Sequence, residues 1–326
     1  MKRNGKVLLV MLVVFQLIAS GFVRAEEKEY PEKAVQIIVG YVAGSILDLG
    51  ARAFSKVAPK YLGKPVVVVN MPGAASTVAC NELAKSIPDG HTLAVVSTGY
   101  PSMTIHQQKV PFDPKTIIPV LGFAELRELL FVRADSPYTT LGELVTYGQK
   151  NPGAIKYGHA GKGLAPHLMG ILFFRSANIK ATDVPYRGSA ELVPAVIGGH
   201  ILSGITDVSG VKEHVQGGTL KVLATFTNKR LKEWPEVPTP QEKGYADVSP
   251  LNPLLCLYIH KDTPINRVKK LHEVMKKTVE DPEFVKILDS IGQKSEYVSP
   301  ETVKEIVLKA ENMGVPLLKE LGLFVK

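Results

Sequence analysis

Short runs rich in valine, isoleucine and leucine recur along the chain and alternate with segments of helical periodicity. Runs of four to eight such residues, bounded by turn-forming residues, predict β-strands. The predicted strands are Val35–Val39, Val66–Asn70, Thr92–Ser97, Leu129–Arg133, Lys156–His159, Ala181–Pro185, Lys221–Phe226 and Leu254–Ile259. Strands that are apolar on both faces and alternate with helices are typical of parallel sheets covered by helices.

Helices are predicted between the strands and throughout the C-terminal tail. In the tail, Ser299, Pro300 and Glu301 form a strong helix start, because they combine an N-cap, a first-position proline and an acid in the first turn. The predicted helices lie around Leu47–Ala58, Ser76–Ser86, Pro166–Ala177, Ser189–Ile197, Pro264–Glu280, Pro282–Ile291 and Ser299–Leu321.

The alternating pattern occurs in two sets, which predicts two lobes. The second set opens with the strand Leu129–Arg133 and ends near Tyr245–Pro253, where the helical tail begins. A chain of 326 residues is also longer than most chains that fold around a single hydrophobic core, which favours two domains. We therefore predict an α/β protein in which each lobe is a mainly parallel sheet flanked by helices. The chain crosses between the lobes twice, with 26–126 and 254–326 in the first lobe and 127–253 in the second.

The N-terminal 25 residues have the pattern of an export signal. Lys2, Arg3 and Lys6 precede the apolar stretch Val7–Ala19, and Val23-Arg24-Ala25 fits a cleavage site. The alternative is a membrane anchor, but this apolar stretch is shorter than the roughly 20 residues that span a bilayer. We expect residues 1–25 to be a cleaved signal peptide and the mature protein to be periplasmic.

Composition narrows the choice of partners. Without residues 1–25 the chain carries 35 basic and 31 acidic residues, and no basic run is interleaved with aromatic residues. Nucleic acid is therefore not an expected partner. Cys80 and Cys256 are far apart in apolar surroundings, which favours two buried free thiols, although an oxidising compartment would permit a disulfide.

Three loops stand out because each follows a predicted strand, and ligands of parallel α/β sheets lie beyond the carboxyl ends of strands. They are Tyr41–Asp48, Asn70–Thr77 and Tyr157–His167. Glycine and small residues allow close approach of the backbone, and the N–H groups at the following helix starts favour an anion. The alternative for the first two loops is a plain turn, with Asp48 acting only as a cap.

Enzymatic motifs are missing from these loops and from the rest of the sequence. The third loop fits neither a phosphate loop nor a dinucleotide fingerprint, and no Gly-x-Ser-x-Gly nucleophile elbow is present. Five histidines lack metal-ligand spacing and are typical of surface or loop positions: His91, His106, His159, His167 and His200. We expect a binding protein rather than an enzyme, with no cofactor and no bound metal.

Several blocks, in order, resemble the periplasmic receptors of tripartite tricarboxylate transporters, also called Bug receptors. The blocks are Tyr30-Pro31-Glu32-Lys33, IIVGYVAGSILDLGAR (37–52), NMPGAAS (70–76), PDGHTL (88–93), the third loop, VPYRGSAELVPAVIGGHI (184–201) and the segment Leu220–Tyr245. The first loop departs from the family pattern Pro-Phe-x-Pro-Gly-Gly, since both prolines and one glycine are replaced in Gly40–Ser45. In the second loop, Ala75 and Ser76 replace two glycines.

The resemblance implies a type II periplasmic binding protein that closes its two lobes on a small ligand, often a carboxylate. It implies that the tail helices return to the first lobe, and that the first and third loops hold the carboxylate through backbone groups and ordered water. The implied partners are a small organic acid and the large and small integral membrane subunits of a transporter, with the receptor acting as a monomer. A ligand-sensing subunit of a signalling receptor and a secreted hydrolase are the alternative functions.

We expect particular residues to form the ligand site. Backbone groups near Gly44, Ser45 and Gly161–Gly163 would hold the carboxylate. Asp48 would orient the first loop or meet a hydroxyl or amino group of the ligand, and Arg187 would face either the cleft or solvent. The full expected set is Tyr41, Ala43, Gly44, Ser45, Asp48, Ala75, Ser76, Thr98, Gly161, Lys162, Gly163, His167, Arg187 and Asp207.

Overall fold

Eleven strands form two separate sheets in a computed structural model that describes residues 30–325. The expected signal peptide lies outside the described residues. The strands are β1 (Val35–Val39), β2 (Val66–Asn70), β3 (Thr92–Ser97), β4 (Ile117–Glu125), β5 (Glu128–Arg133), β6 (Lys156–Ala160), β7 (Thr182–Tyr186), β8 (Ser203–Asp207), β9 (Leu220–Thr225), β10 (Leu254–His260) and β11 (Ser295–Val298). All of them lie in the compact unit that begins at Lys33.

Helices connect and cover these strands. They are α1 (Ile46–Val57), α2 (Pro59–Leu62), α3 (Thr77–Lys85), α4 (Ile105–Gln107), α5 (Leu141–Lys150), α6 (Ala165–Ser176), α7 (Ser189–Ile197), α8 (Val208–Gln216), α9 (Ile265–Glu280), α10 (Pro282–Ser290) and α11 (Pro300–Glu320). Within the described residues, no helix is both long and apolar enough to cross a membrane.

The two sheets define two lobes. The first lobe contains the six-stranded sheet with order β11-β4-β10-β3-β1-β2, and the second contains the five-stranded sheet with order β7-β6-β8-β5-β9. The chain passes between the sheets near Leu126 and again near Pro253, where the Leu126 N–H donates to the Pro253 carbonyl at 2.7 Å. The predicted two-lobed α/β architecture is confirmed.

Both sheets are mixed in strand direction. The pairs β1–β2, β1–β3, β6–β7 and β6–β8 are parallel, whereas the pairs made by β10 and by β5 are antiparallel. β5 and β10 are the strands that directly follow the two crossings. A strand entered from the other lobe is not joined to its neighbours by a helical crossover, so it is free to pair in the antiparallel direction.

Aromatic and aliphatic side chains fill a separate core in each lobe. Phe54, Phe123 and Phe284 pack together in the first lobe, with ring centroids 4.7–6.3 Å apart, and they join α1 and α10 to the sheet. Helix α9 packs on β4 and β11, so the return of α9 and α10 to the first lobe is as expected. Helix α11 differs, because its Val303 packs in the first-lobe core while Leu317 and Leu318 pack with second-lobe residues.

Candidate functional site

A cavity of about 830 Å³ opens between the two lobes and is lined by residues of both. Its walls come from the loop before α1, from the segments before α6 and α7, and from the two crossings. Of the residues expected to bind ligand, those that line the cavity are Tyr41, Ala43, Gly44, Ser45, Ala75, Ser76, Gly161, Arg187 and Asp207. The remaining five are Asp48, Thr98, Lys162, Gly163 and His167.

The loop before α1 is fixed by hydrogen bonds to its own helix. Ser45 is the N-cap, and its hydroxyl accepts from the Asp48 N–H at 3.3 Å. The Gly44 N–H donates back to Asp48 Oδ2 at 2.9 Å, with Gly44 at a φ of +83° that suits glycine. Asp48 thus orients the loop by accepting the Gly44 hydrogen bond from within α1, and its contact with a ligand stays a prediction.

Asp48 is a buried carboxylate with three kinds of donor. Besides the Gly44 N–H, it accepts from Arg52 Nε at 2.8 Å and from Asn70 Nδ2 at 2.8 Å. Burial alone would raise the pKa of Asp48, but the hydrogen bonds from Arg52, Gly44 and Asn70 outweigh burial and the pKa is lowered. The carboxylate is therefore ionised at neutral pH and has its donors already.

The first turn of α1 offers donors to the cavity. Ile46 and Leu47 line the cavity, and within the described part of the chain no acceptor is recorded for either N–H. The first N–H groups of a helix have no partner inside the helix and carry its positive dipole end. This wall of the cleft is therefore suited to an anion.

The second loop has an unusual backbone. Ala74, Ala75 and Ser76 have φ angles of +45°, +48° and +78°, a left-handed run that favours glycine. Ser76 is buried, and a Cβ placed on Gly40 would lie within 2.6 Å of its Cα, Cβ and Oγ atoms. Gly40 and Ser76 are therefore a matched pair: the space left at position 40 is taken by the serine.

The third loop is held by a histidine rather than an acid. The Gly163 N–H donates to His167 Nδ1 at 3.0 Å, and the Gly163 carbonyl accepts from Gln107 of the first lobe at 3.1 Å. Gly161 lines the cavity, whereas Lys162 is exposed and lies outside its lining. The third loop thus contacts both the cleft and the opposite lobe.

His159 and His167 are buried, not surface residues as their spacing suggested. Both rings are at most 1% exposed and their centroids are 4.4 Å apart. Burial lowers the pKa of both side chains, that of His167 to about 4, although the neighbouring Asp183 carboxylate opposes the shift. His91 is also buried but lies in the loop before β3, so the expectation of surface or loop positions was wrong for His159 and His167.

His159, His167 and Asp183 form the one group of described residues whose ligand atoms lie close enough for a metal, within 4.8 Å of one another. Their hydrogen bonds argue against that use. Because the Gly163 N–H can only donate, His167 Nδ1 has no proton and Nε2 carries it, 3.3 Å from Asp183 Oδ2. A metal needs the Nε2 lone pair, so we interpret the cluster as support for the third loop.

A second helix start faces the cleft from the other lobe. The helix itself was predicted, but the sequence analysis did not assign its first residues to the site. Ser189 and Ala190, the first residues of α7, line the cavity, and no acceptor within the described residues is recorded for their N–H groups. The three consecutive small residues Gly188, Ser189 and Ala190 are the sequence signal that would have indicated that this helix start borders the site. Arg187 beside it lines the cavity, but its side chain is 92% exposed and lies 3.8 Å from Glu191.

Two acids lie at the inner end of the cleft. Asp207 ends β8 and Glu128 begins β5, and the two residues are direct cross-strand partners. Both line the cavity, as do Leu126 and Pro253 at the crossings. Thr98, which was expected to bind ligand, is not among the lining residues. Its hydroxyl accepts from the Leu254 N–H at 2.9 Å and so joins β3 to the second crossing.

The family of the chain follows from residues 51–323, which match the model of the tripartite tricarboxylate transporter family receptor. The chain belongs to this receptor family. The resemblance found in the sequence is thus confirmed, as is the prediction of a binding protein rather than an enzyme.

Curated relatives match most of the chain. This chain is 29% identical over 303 residues to the "UPF0065 protein in gbd 5'region" of Cupriavidus necator, covering 92% of this chain and 91% of that one. It is 24% identical to BugT of Bordetella pertussis, with 98% of each chain covered.

Several solved structures have a similar fold. A structure described as a periplasmic transporter is 28% identical with a TM-score of 0.76, and the match covers 89% of this receptor and 98% of that chain. An R. palustris protein solved with adipate is 24% identical with a TM-score of 0.77, over 90% and 99% of the two chains. The MatC protein of Rhodopseudomonas palustris, solved with malate, is 24% identical with a TM-score of 0.71, over 87% and 99%.

Proposed function

We propose that this receptor is an extracytoplasmic protein that binds a small organic carboxylate in the cleft and delivers it to a membrane transporter with one large and one small integral subunit. The observation that carries the proposal is the pair of helix starts, α1 from the first lobe and α7 from the second, whose first N–H groups border one cavity. An anion between them would interact with both lobes at once.

Closure of the lobes follows from this arrangement. A ligand that touches only one lobe does not distinguish open from closed forms, whereas one held by both helix starts favours the closed form. The two crossings near Leu126 and Pro253 are the segments about which such a hinge would turn. The malate and adipate in the two R. palustris proteins of the same fold are in keeping with a carboxylate as the ligand class.

Proline substitution at a first helical position tests the proposal directly. Ile46 is the first residue of α1, where proline is well accommodated; the substitution removes the N–H group and also shortens the side chain, so Ile46→Ala is its control. Ser45 before it is already extended (φ −67°, ψ 158°), as a residue preceding proline requires. We expect Ile46→Pro to weaken carboxylate binding about tenfold, and Ile46→Ala, which keeps the N–H, to bind almost as the native protein does.

The ligand for that comparison comes from a thermal-shift screen of the mature protein. Mono-, di- and aminocarboxylates are added at a hundredfold excess over the expected dissociation constant, where binding stabilises by about 2.7 kcal/mol. The proposal fails if no carboxylate raises the melting temperature, or if Ile46→Pro binds as tightly as Ile46→Ala. Delivery is tested separately, by uptake of the identified acid into vesicles that contain the two membrane subunits, with and without the receptor.

A further inference from the structure

Glu128 is a buried acid in the cleft that lacks a partner. It is 5% exposed, it lines the cavity, and its Oε2 atom is buried without any hydrogen-bond partner. Both backbone groups of Glu128 already have hydrogen-bond partners: its N–H donates to Asn252 Oδ1 at 3.2 Å, and its carbonyl accepts from the Phe226 N–H at 2.8 Å. Only the carboxyl group, at the inner end of the cleft, is left for a ligand.

Its cross-strand neighbour Asp207 is the opposite case. Asp207 Oδ1 accepts from the Ser209 N–H, the Ser209 hydroxyl and Gln293 Nε2 at 2.5–2.9 Å, and Oδ2 accepts from the Arg127 N–H at 2.9 Å. Burial raises the pKa of Asp207, but these four donors oppose the rise by stabilising the ionised form, and they leave no acceptor site that a ligand must fill. Glu128 therefore has a hydrogen-bonded carboxylate beside it.

No base among the described lining residues compensates these acids inside the cleft. The Arg127 guanidinium points away, to Glu233 at 2.7 Å and the Gly292 carbonyl at 2.9 Å, and the Arg187 side chain is largely in solvent. The other titratable lining residues, Tyr41 and Tyr100, are neutral phenols whose pKa is raised by burial. The inner end of the cleft is thus short of positive charge.

We propose that Glu128 receives an ammonium group, so that the ligand of this receptor is an aminocarboxylate with its carboxylate at the helix starts and its amine at Glu128. This assignment rests on the proposed carboxylate site. A second carboxylate in the same position would face the Asp207 charge, whereas an ammonium group supplies the donors and the charge that Glu128 lacks.

Binding of an ammonium group at Glu128 changes the number of protons that the protein holds. In the empty cleft, burial and the neighbouring Asp207 charge raise the pKa of Glu128 well above its ordinary range, which favours the protonated acid. When the ammonium group arrives, the Glu128 proton leaves to solvent and an ion pair forms. Binding of an aminocarboxylate near pH 7 therefore releases up to one proton, and binding of an uncharged analogue releases none.

The test uses three ligands of equal chain length: 6-aminohexanoate, adipate and hexanoate, with the four- and five-carbon sets run in parallel. Titration calorimetry in two buffers of different ionisation enthalpy gives both affinity and proton release. We expect some member of the amino series to bind at least tenfold more tightly than its dicarboxylate and monocarboxylate analogues, with close to one proton released. In Glu128→Gln that preference and the proton release are lost, while the monocarboxylate still binds.

Glu125→Gln is the matched control, because Glu125 is a half-buried acid near the same crossing as Glu128 but does not line the cavity. It should leave the preference intact. Equal or tighter binding of the dicarboxylates in the native protein, unchanged in Glu128→Gln, overturns the assignment and leaves the carboxylate site standing. Tightest binding of the monocarboxylates, without proton release, overturns the ammonium assignment as well. If no acid of any series binds, the proposed function fails, and this inference fails with it.

Discussion

The loop before α1 and the loop before α6 hold their glycines with the same hydrogen bond but with different acceptors. In the first lobe the Gly44 N–H donates to Asp48 at 2.9 Å, and in the second the Gly163 N–H donates to His167 at 3.0 Å. Each acceptor lies four residues after its glycine and is the third residue of the following helix. Both glycines have left-handed φ angles, +83° and +77°.

The difference between the acceptors decides how each loop responds to pH. Asp48 is charged and shares its charge with Arg52, so it accepts the Gly44 N–H at any pH above its lowered pKa. His167 accepts only while Nδ1 is unprotonated, and its ring is neutral because burial lowers its pKa to about 4. The first loop is therefore held by an ion and the second-lobe loop by a neutral ring. On acidification the contribution of His167 is lost between pH 6.5 and about 4, before that of Asp48, whose pKa is already lowered.

The largest expected effect comes from removing the charged acceptor. Asp48→Ala removes a buried carboxylate that accepts from the Gly44 N–H and the Asn70 amide, and it leaves Arg52 without its ion pair. We expect the free energy of unfolding at pH 7 to fall by about 4 kcal/mol, measured by urea denaturation. Asp262→Ala, at an acid whose side chain is 64% exposed, is the control and should cost less than about 0.5 kcal/mol. Similar losses in the two variants would mean that Asp48 does not hold the loop.

The neutral acceptor is tested with acid. Because the folded pKa of His167 lies near 4 and the unfolded value near 6.5, its contribution to stability is present above pH 6.5 and is lost as the pH falls towards 4. The expected loss of unfolding free energy over this window is on the order of 3 kcal/mol. Urea denaturation at several pH values measures it.

His167→Gln should flatten that dependence, since glutamine can accept the Gly163 N–H and does not titrate. Some slope remains, because burial lowers the pKa of His159 in the same direction. His200→Gln, at an exposed histidine, should keep the native slope. If His167→Gln keeps it too, another group is responsible for the acid sensitivity.

Local patterns were enough to predict much of the fold and the cleft. The strand Val35–Val39 was placed correctly to the residue, and α11 starts at the predicted Ser299 cap. Both loops compared here were singled out, because glycine between a strand and a helix is a local signal. Strands β4, β8 and β11 were missed. The β4 segment is apolar but is interrupted by Pro119 and Gly122, and the β8 and β11 segments lack a clear apolar run between turn signals.

Interactions between distant segments were beyond such patterns. The pairing of Glu128 with Asp207 depends on the register of β5 against β8, and β8 was not predicted. The burial of His159 and His167 depends on how α6 packs on β6. Likewise, Gly40 and Ser76 looked like two unrelated departures from the family pattern, although they occupy the same space in the fold.

The smallest expected effect comes from the glycines themselves. Alanine at either position is strained by the positive φ, which costs about 1 kcal/mol. At Gly44 nothing lies within 4 Å of the added Cβ, so strain is the whole cost. At Gly163 the Cβ would also overlap the Gln107 side chain, which donates from the first lobe to the Gly163 carbonyl. We expect Gly163→Ala to lower the free energy of unfolding by about 2 kcal/mol and Gly44→Ala by about half of that.

A double-mutant cycle separates the two causes at Gly163. In a Gln107→Ala background the overlap is gone, so Gly163→Ala should cost no more than Gly44→Ala does in the native protein. If the cost stays at about 2 kcal/mol without the Gln107 side chain, the third loop is limited by its own backbone and not by the opposite lobe. The two loops would then differ only in the acceptor that holds them.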